Sequence, residues 1–137
     1  MNFENSLIEG KVRKVLPNKI RASGLFKSSI QAIETAKLIQ LSSSTIKSVL
    51  RELYEGLREY CEAIGYSRGY KFLDHESITY FLRDVLKEEL ISKKFDRYRR
   101  LRNSINYYGE DIDIETVKEA IIEIPKIIKE LAKYSKN

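Results

Sequence analysis

The stretch Lys93-Lys94-Phe95-Asp96-Arg97-Tyr98-Arg99-Arg100-Leu101-Arg102-Asn103-Ser104-Ile105-Asn106-Tyr107-Tyr108-Gly109 governs how the rest of the chain is read. Ile91, Phe95, Tyr98 and Ile105 recur at helical spacing and mark one apolar stripe along one helix. Continuing in steps of four and three from Ile91 lands on position 102, which is an arginine. A guanidinium in an apolar seam is costly unless it is paired, hydrogen-bonded or open to a cleft. Residues 93–102 also carry six positive charges and one negative, a net of +5 that equals the net charge of the whole chain. The other residues therefore sum to zero.

Outward from this segment the charge alternates. Residues 1–50 are net +5, residues 51–92 net −3 and residues 103–137 net −2. A localised basic surface attracts phosphate backbones or anionic ligands. The commoner fate of a Lys/Arg run is a solvated helix face, and charge alone does not separate the two.

The periodicity predicts helices throughout and no sheet. The first runs from about Glu4 to Leu16, stopped by Pro17. A second spans about Asn18 to Leu41, with Phe26, Ile30, Ile33, Ala36 and Ile39 on one side. The third, Thr45 to Ile64, has the cleanest stripe: Ile46, Val49, Leu50, Leu53, Leu57, Tyr60, Cys61 and Ile64, with Gly65 and Gly69 ending it. Asp74 is an N-cap for a short fourth helix, Glu76 to Leu86, buried through Ile78, Phe81, Leu82 and Val85. The fifth carries the basic segment from about Glu88 to Tyr107 and stops at Gly109. Asp111 and Asp113 announce the last, about Ile114 to Tyr134, with Val117, Ile121, Ile124, Ile128 and Leu131 inward and a kink at Pro125. The expectation is a single all-α domain over residues 1–137: an antiparallel bundle of four to five main helices whose third, fifth and last members form the core.

Composition agrees with that class. Charged residues make up 33% and apolar ones 42%, with six Gly and two Pro, which favours a folded helical protein over a disordered or β-rich one. A lone cysteine, Cys61, cannot close an internal disulfide, and its place on the third helix's stripe reads as a small core residue. No basic-then-apolar leader and no membrane-length apolar run is visible, so a cytoplasmic location without membrane association is expected. No P-loop, dinucleotide fingerprint or paired Cys/His spacing occurs, so neither a cofactor nor a metal is expected. His75, the single histidine, follows a helix N-cap, which suits a structural ring; any His-dependent base must be His75.

At Arg102-Asn103-Ser104-Ile105-Asn106-Tyr107-Tyr108-Gly109 the sequence resembles HEPN domains, in particular an archaeal branch that reads Arg-Asn, a short spacer, then Tyr-Tyr-Gly. The resemblance extends through Tyr54-Glu55-Gly56-Leu57-Arg58-Glu59, Gly69-Tyr70-Lys71 and His75-Glu76, and covers roughly residues 20–135. It implies a helical bundle that often forms a homodimer with the arginine near the dimer cleft. It also implies, in the ribonuclease members, an Arg, a polar residue and a His that contact the scissile phosphate without a metal. Arg102 and Asn103 occupy the first two positions; the His position falls on Tyr107, or on Asn106 with a spacer one shorter. A phenol is a poor base at neutral pH and an amide transfers no proton, so catalysis is put in doubt, while anion binding is not.

Helical geometry gives a separate argument. Arg102 and Asn106 share a face, as do Asn103 and Tyr107, so a guanidinium, two amides and a phenol can converge on one oxygen-rich ligand. The candidate anion-binding residues are Arg102, Asn103, Asn106, Tyr107, Arg99, Lys93 and Lys94; Arg102 and Tyr107 are the candidates should chemistry occur. Equally, Arg102 and Asn103 would serve to tie the fifth helix to a neighbour's C-terminal carbonyls. Three functions follow: a binding module for RNA, a nucleotide or a nucleotidyltransferase-type partner in a toxin–antitoxin-like pair; a metal-independent ribonuclease with an altered motif; or a structural dimerisation protein. The missing His favours the first.

Overall fold

The computed structural model describes residues 1–135, and its elements run α1 (Phe3–Ile8), β1 (Val12–Lys14), α2 (Lys19–Leu38), α3 (Ile46–Ser67), β2 (Tyr70–Phe72), α4 (Glu76–Tyr80), a π-helical turn (Phe81–Val85), α5 (Glu89–Tyr108), α6 (Ile114–Leu131) and a 3₁₀ turn (Ala132–Tyr134). The protein is an all-α bundle with one very small sheet. Several helix starts follow from short polar side chains that satisfy free backbone donors. Asn18 accepts from the Arg21 N–H at 2.9 Å, Asp74 from the Ser77 N–H at 2.9 Å and Asp113 from the Thr116 N–H at 2.8 Å. Gly109, at φ +63°, closes α5 in the left-handed conformation that favours glycine.

The third helix is the axis of the structure. Val49, Leu50, Leu53, Leu57, Cys61 and Ile64 are all fully buried, as the periodicity predicts, and Tyr54 joins them. Against it pack α2, α5 and α6. The second helix therefore belongs to the core alongside the fifth and last. Its inner face is Ala22, Ser29, Ala32, Ile33 and Ala36, while Ile30, expected inward, is exposed. Small residues let α2 approach closely, and Ser29 donates to the Gly56 carbonyl at 2.6 Å across the contact. In α5, Ile91, Phe95, Tyr98 and Ile105 are buried, and Arg102 lies half-buried in line with them. The last helix continues through Pro125 to Leu131, with Ala120 and Ile127 joining the buried stripe.

Four features depart from the expectation. The first helix stops at Ile8 rather than Leu16, and Val12–Lys14 pairs antiparallel with Tyr70–Phe72, Val12 opposite Phe72. Three residues are too few to show an alternating pattern; the ribbon exists because Val12 and Phe72 both enter the core. Gly65 does not end α3. It stands inside the helix, where a Cβ would clash with the Phe72 ring, so its role is close approach rather than termination. The fourth helix gives way to the π turn after Tyr80, and the buried residue becomes Leu86 instead of Val85. The Leu86 N–H bonds to the Phe81 carbonyl, which delays the apolar register by one position. Residues near both ends of the described chain also meet this turn: the Phe3 N–H donates to Asp84 at 2.8 Å, and the Tyr134 hydroxyl, which donates to Glu88, lies 3.2 Å from the Leu86 carbonyl oxygen.

Candidate functional site

Six cations lie between Lys93 and Arg102, and five of them meet carboxylates. Lys93 lies 3.9 Å from Glu89 and Lys94 3.4 Å from Glu123. Arg97 holds Glu119 at 2.9 Å, Arg99 holds Asp96 at 2.7 Å, and Arg100 holds Asp96 at 2.8 Å. Arg102 differs: among the described residues no carboxylate lies within salt-bridge distance of it. Its one side-chain hydrogen bond goes to Asn103 Oδ1 at 3.3 Å, and its guanidinium carbon sits 5.6 Å from the centroid of the Tyr54 ring. That cation–π contact lowers the cost of a half-buried charge without neutralising it. Neither Arg102 nor Asn103 donates a side-chain hydrogen bond to a helix C-terminal carbonyl among the described residues. The cross-helix contact that Arg102 does make is with the Tyr54 ring of α3.

Arg102 opens into a cleft of about 470 Å³ lined by Asp74, His75, Glu76, Arg99, Arg102, Asn103 and Tyr107. Three elements build it. The Asp74 cap places Asp74, His75 and Glu76 at the start of α4, α5 supplies the other four lining residues, and the buried Tyr54 of α3 stands behind them against His75 and Arg102. Of the anion-binding candidates, Arg99, Arg102, Asn103 and Tyr107 meet there. Lys93 and Lys94 do not. Lys94 is drawn towards α6 by Glu123, and Lys93 lines a shallow groove on another face of α5 with Arg97, Arg100, Leu101 and Ser104. Asn106 is also outside: its Oδ1 accepts from Arg51 Nε at 2.6 Å. A shared helical face therefore does not bring Arg102 and Asn106 to one ligand, because α3 claims the amide.

Three lining residues, Asp74, His75 and Glu76, and the buried Tyr54 behind them enter without spacing alone assigning them to a site. No pattern in the chain links His75 to Arg102, since only the packing of α4 on α5 joins them. The His75 Nδ1 lies 3.1 Å from the Tyr54 hydroxyl. Burial first, then the positive charges of Arg58 and Arg102, push the His75 imidazole down to about 4, so it is neutral at pH 7. Burial also raises the Tyr54 phenol well above its ordinary range. Arg58 is itself paired with Glu55 and Glu62. Arg99 reaches Glu76 at 3.8 Å besides Asp96, so its charge is largely spent within the protein.

Other candidate chemistry is weaker. Cys61 is fully buried and burial pushes its thiol up, which makes it inert as a nucleophile. Among the described residues no group of three His, Cys, Asp or Glu side chains stands together as a metal site, and no helix is long and apolar enough to cross a membrane. No protein-family model matches the chain, and neither the curated proteins nor the solved structures compared with it show a match.

Proposed function

We propose that the cleft binds a phosphate group and that the chain is a HEPN-like binding module for RNA or a nucleotide, without efficient cleavage. Arg102 is the observation that carries this reading. It is the one cation of the 93–102 segment without a carboxylate partner among the described residues, and it faces an open cleft. A planar guanidinium matches two phosphate oxygens at once, and such charge-assisted bonds are strong where water is partly excluded. Asn103 and Tyr107 add neutral donors beside it. The rim carboxylates Asp74 and Glu76 oppose a bare polyanion, but they suit a ligand that also carries hydroxyl donors, as a ribose phosphate does.

Cleavage is disfavoured by the same chemistry as before: positions 106 and 107 hold an amide and a phenol, and the amide is engaged by Arg51. On this reading the protein pairs as a homodimer near the cleft, where Tyr107 and Tyr108 are 70% and 76% exposed. The deciding experiment is binding of a fluorescent oligouridylate by the native protein and by Arg102→Ala, followed by gel analysis of the RNA. Binding that depends on Arg102, with the RNA left intact, is expected. Robust metal-independent cleavage, or binding indifferent to Arg102→Ala, overturns it.

A further inference from the structure

One polar group of the cleft is still without a task. His75 is the chain's single histidine, half-buried, and its ring plane is tilted 44° from that of Tyr54 at a centroid distance of 5.8 Å. Tyr54 touches both groups that matter: its hydroxyl meets His75 Nδ1 and its ring face carries Arg102. The buried phenol keeps its proton, and an unprotonated ring nitrogen of imidazole is a better acceptor than a phenol oxygen. Tyr54 therefore donates to Nδ1, and the ring proton sits on Nε2. With Nδ1 engaged, Nε2–H is the polar edge left for a ligand in the cleft.

We propose that His75 is the second phosphate-contacting residue of the cleft, its Nε2–H donating to an oxygen of a ribonucleic acid phosphodiester held by Arg102, with Tyr54 positioning both. This rests on the anion-site reading above and adds a contact from α4 that the α5 motif does not contain. It also couples binding to a proton. In the free protein Arg58 and Arg102 oppose the imidazolium, while Glu55 and Asp74 favour it. Glu76, Arg99 and Tyr107 complete the lining of the cleft. A bound diester sets a negative charge against the ring and raises its pKa. By linkage, affinity must then rise as pH falls towards the free-protein value. An imidazole that donates from Nε2 is not poised as a base, which agrees with binding that leaves the RNA intact.

The lone histidine makes the test direct. In a ¹⁵N-labelled sample its ring nitrogens report tautomer and protonation without assignment ambiguity. The probe is a pentauridylate without terminal phosphates, whose bases and diesters do not titrate between pH 4 and 8. Expected are an Nε2–H ring at pH 7, a free-protein titration near pH 4, and an upward shift of about one unit at saturating RNA. Affinity should rise slightly less than about twofold from pH 7 to pH 5, and further below it. His75→Phe should bind about tenfold more weakly at pH 5 and lose most of that pH dependence, while Tyr54→Phe should let the Nδ1–H tautomer appear. If saturating RNA leaves the ring signals unmoved and His75→Phe binds normally, while Arg102→Ala still abolishes binding, the role of His75 is overturned and the anion site stands. No binding at all, or binding unaffected by Arg102→Ala, overturns both.

Discussion

From Lys93 to Arg100, every cation of α5 has a carboxylate within 4 Å, supplied by Glu119 and Glu123 of α6, by Asp96 and Glu89 of α5 itself, and by Glu76 of α4. Two residues later Arg102 faces Tyr54, His75 and Asn103 instead, with no carboxylate within 4 Å among the described residues, although Asp74 and Glu76 line the same cleft. The two stretches share a helix and a residue type but differ in what packs opposite. In the first, charge is consumed in holding α5 to its neighbours; in the second, it is left over at a cleft. A count of lysines and arginines therefore overstates the cation available to a ligand, because neutralisation depends on which acidic helix lies alongside.

The sharpest way to break this contrast is at its ends. Arg102→Ala should cost about 1.5–3 kcal/mol of oligouridylate binding, the scale of a hydrogen bond to a charged group, while unfolding in urea shifts little. Equal losses in stability and binding would show that Arg102 is part of the framework. At the paired end the expectation reverses. Glu123 accepts from the fully buried Tyr98 at 2.6 Å and also faces Lys94 and Arg97. Glu123→Ala should destabilise the fold by about 1–3 kcal/mol through the stranded hydroxyl. Its RNA affinity at low salt should stay within a few-fold of native.

Salt separates the two halves without mutation. If only Arg102, with some help from Arg99, meets phosphate, the slope of log affinity against log salt should be about −0.7 to −1.4 for single-stranded RNA. A slope near about −4 would mean that all six cations of the segment are engaged. The smallest effect belongs to Lys93, whose 3.9 Å contact with Glu89 is exposed on both sides. Lys93→Ala should change stability by no more than about 0.5 kcal/mol and leave binding unaltered, measured by urea denaturation and anisotropy.

Part of this arrangement is legible along the chain. Helix-period stripes and local caps such as Asn18, Asp74 and Asp113 act over three or four residues, so α2 to α6 can be placed from sequence to within a few positions. Arg102 also stands out locally, as a charge on the stripe of Ile91, Phe95, Tyr98 and Ile105. The ribbon, the π turn and the interior Gly65 were not legible. Each depends on a partner distant in sequence: Val12 on Phe72, Leu86 on the core it re-enters, Gly65 on the Phe72 ring.

By itself, then, the sequence determined α2 to α6, most of the buried faces of α3, α5 and α6, and the misfit arginine, because these are short-range consequences of spacing and residue type. Only the tertiary structure decided which charges are spent, which amide is taken by Arg51, and that an imidazole from the start of α4 stands in the cleft with Arg102. Those outcomes depend on which helix faces lie against one another, and the interactions that set them fall off within a few ångströms.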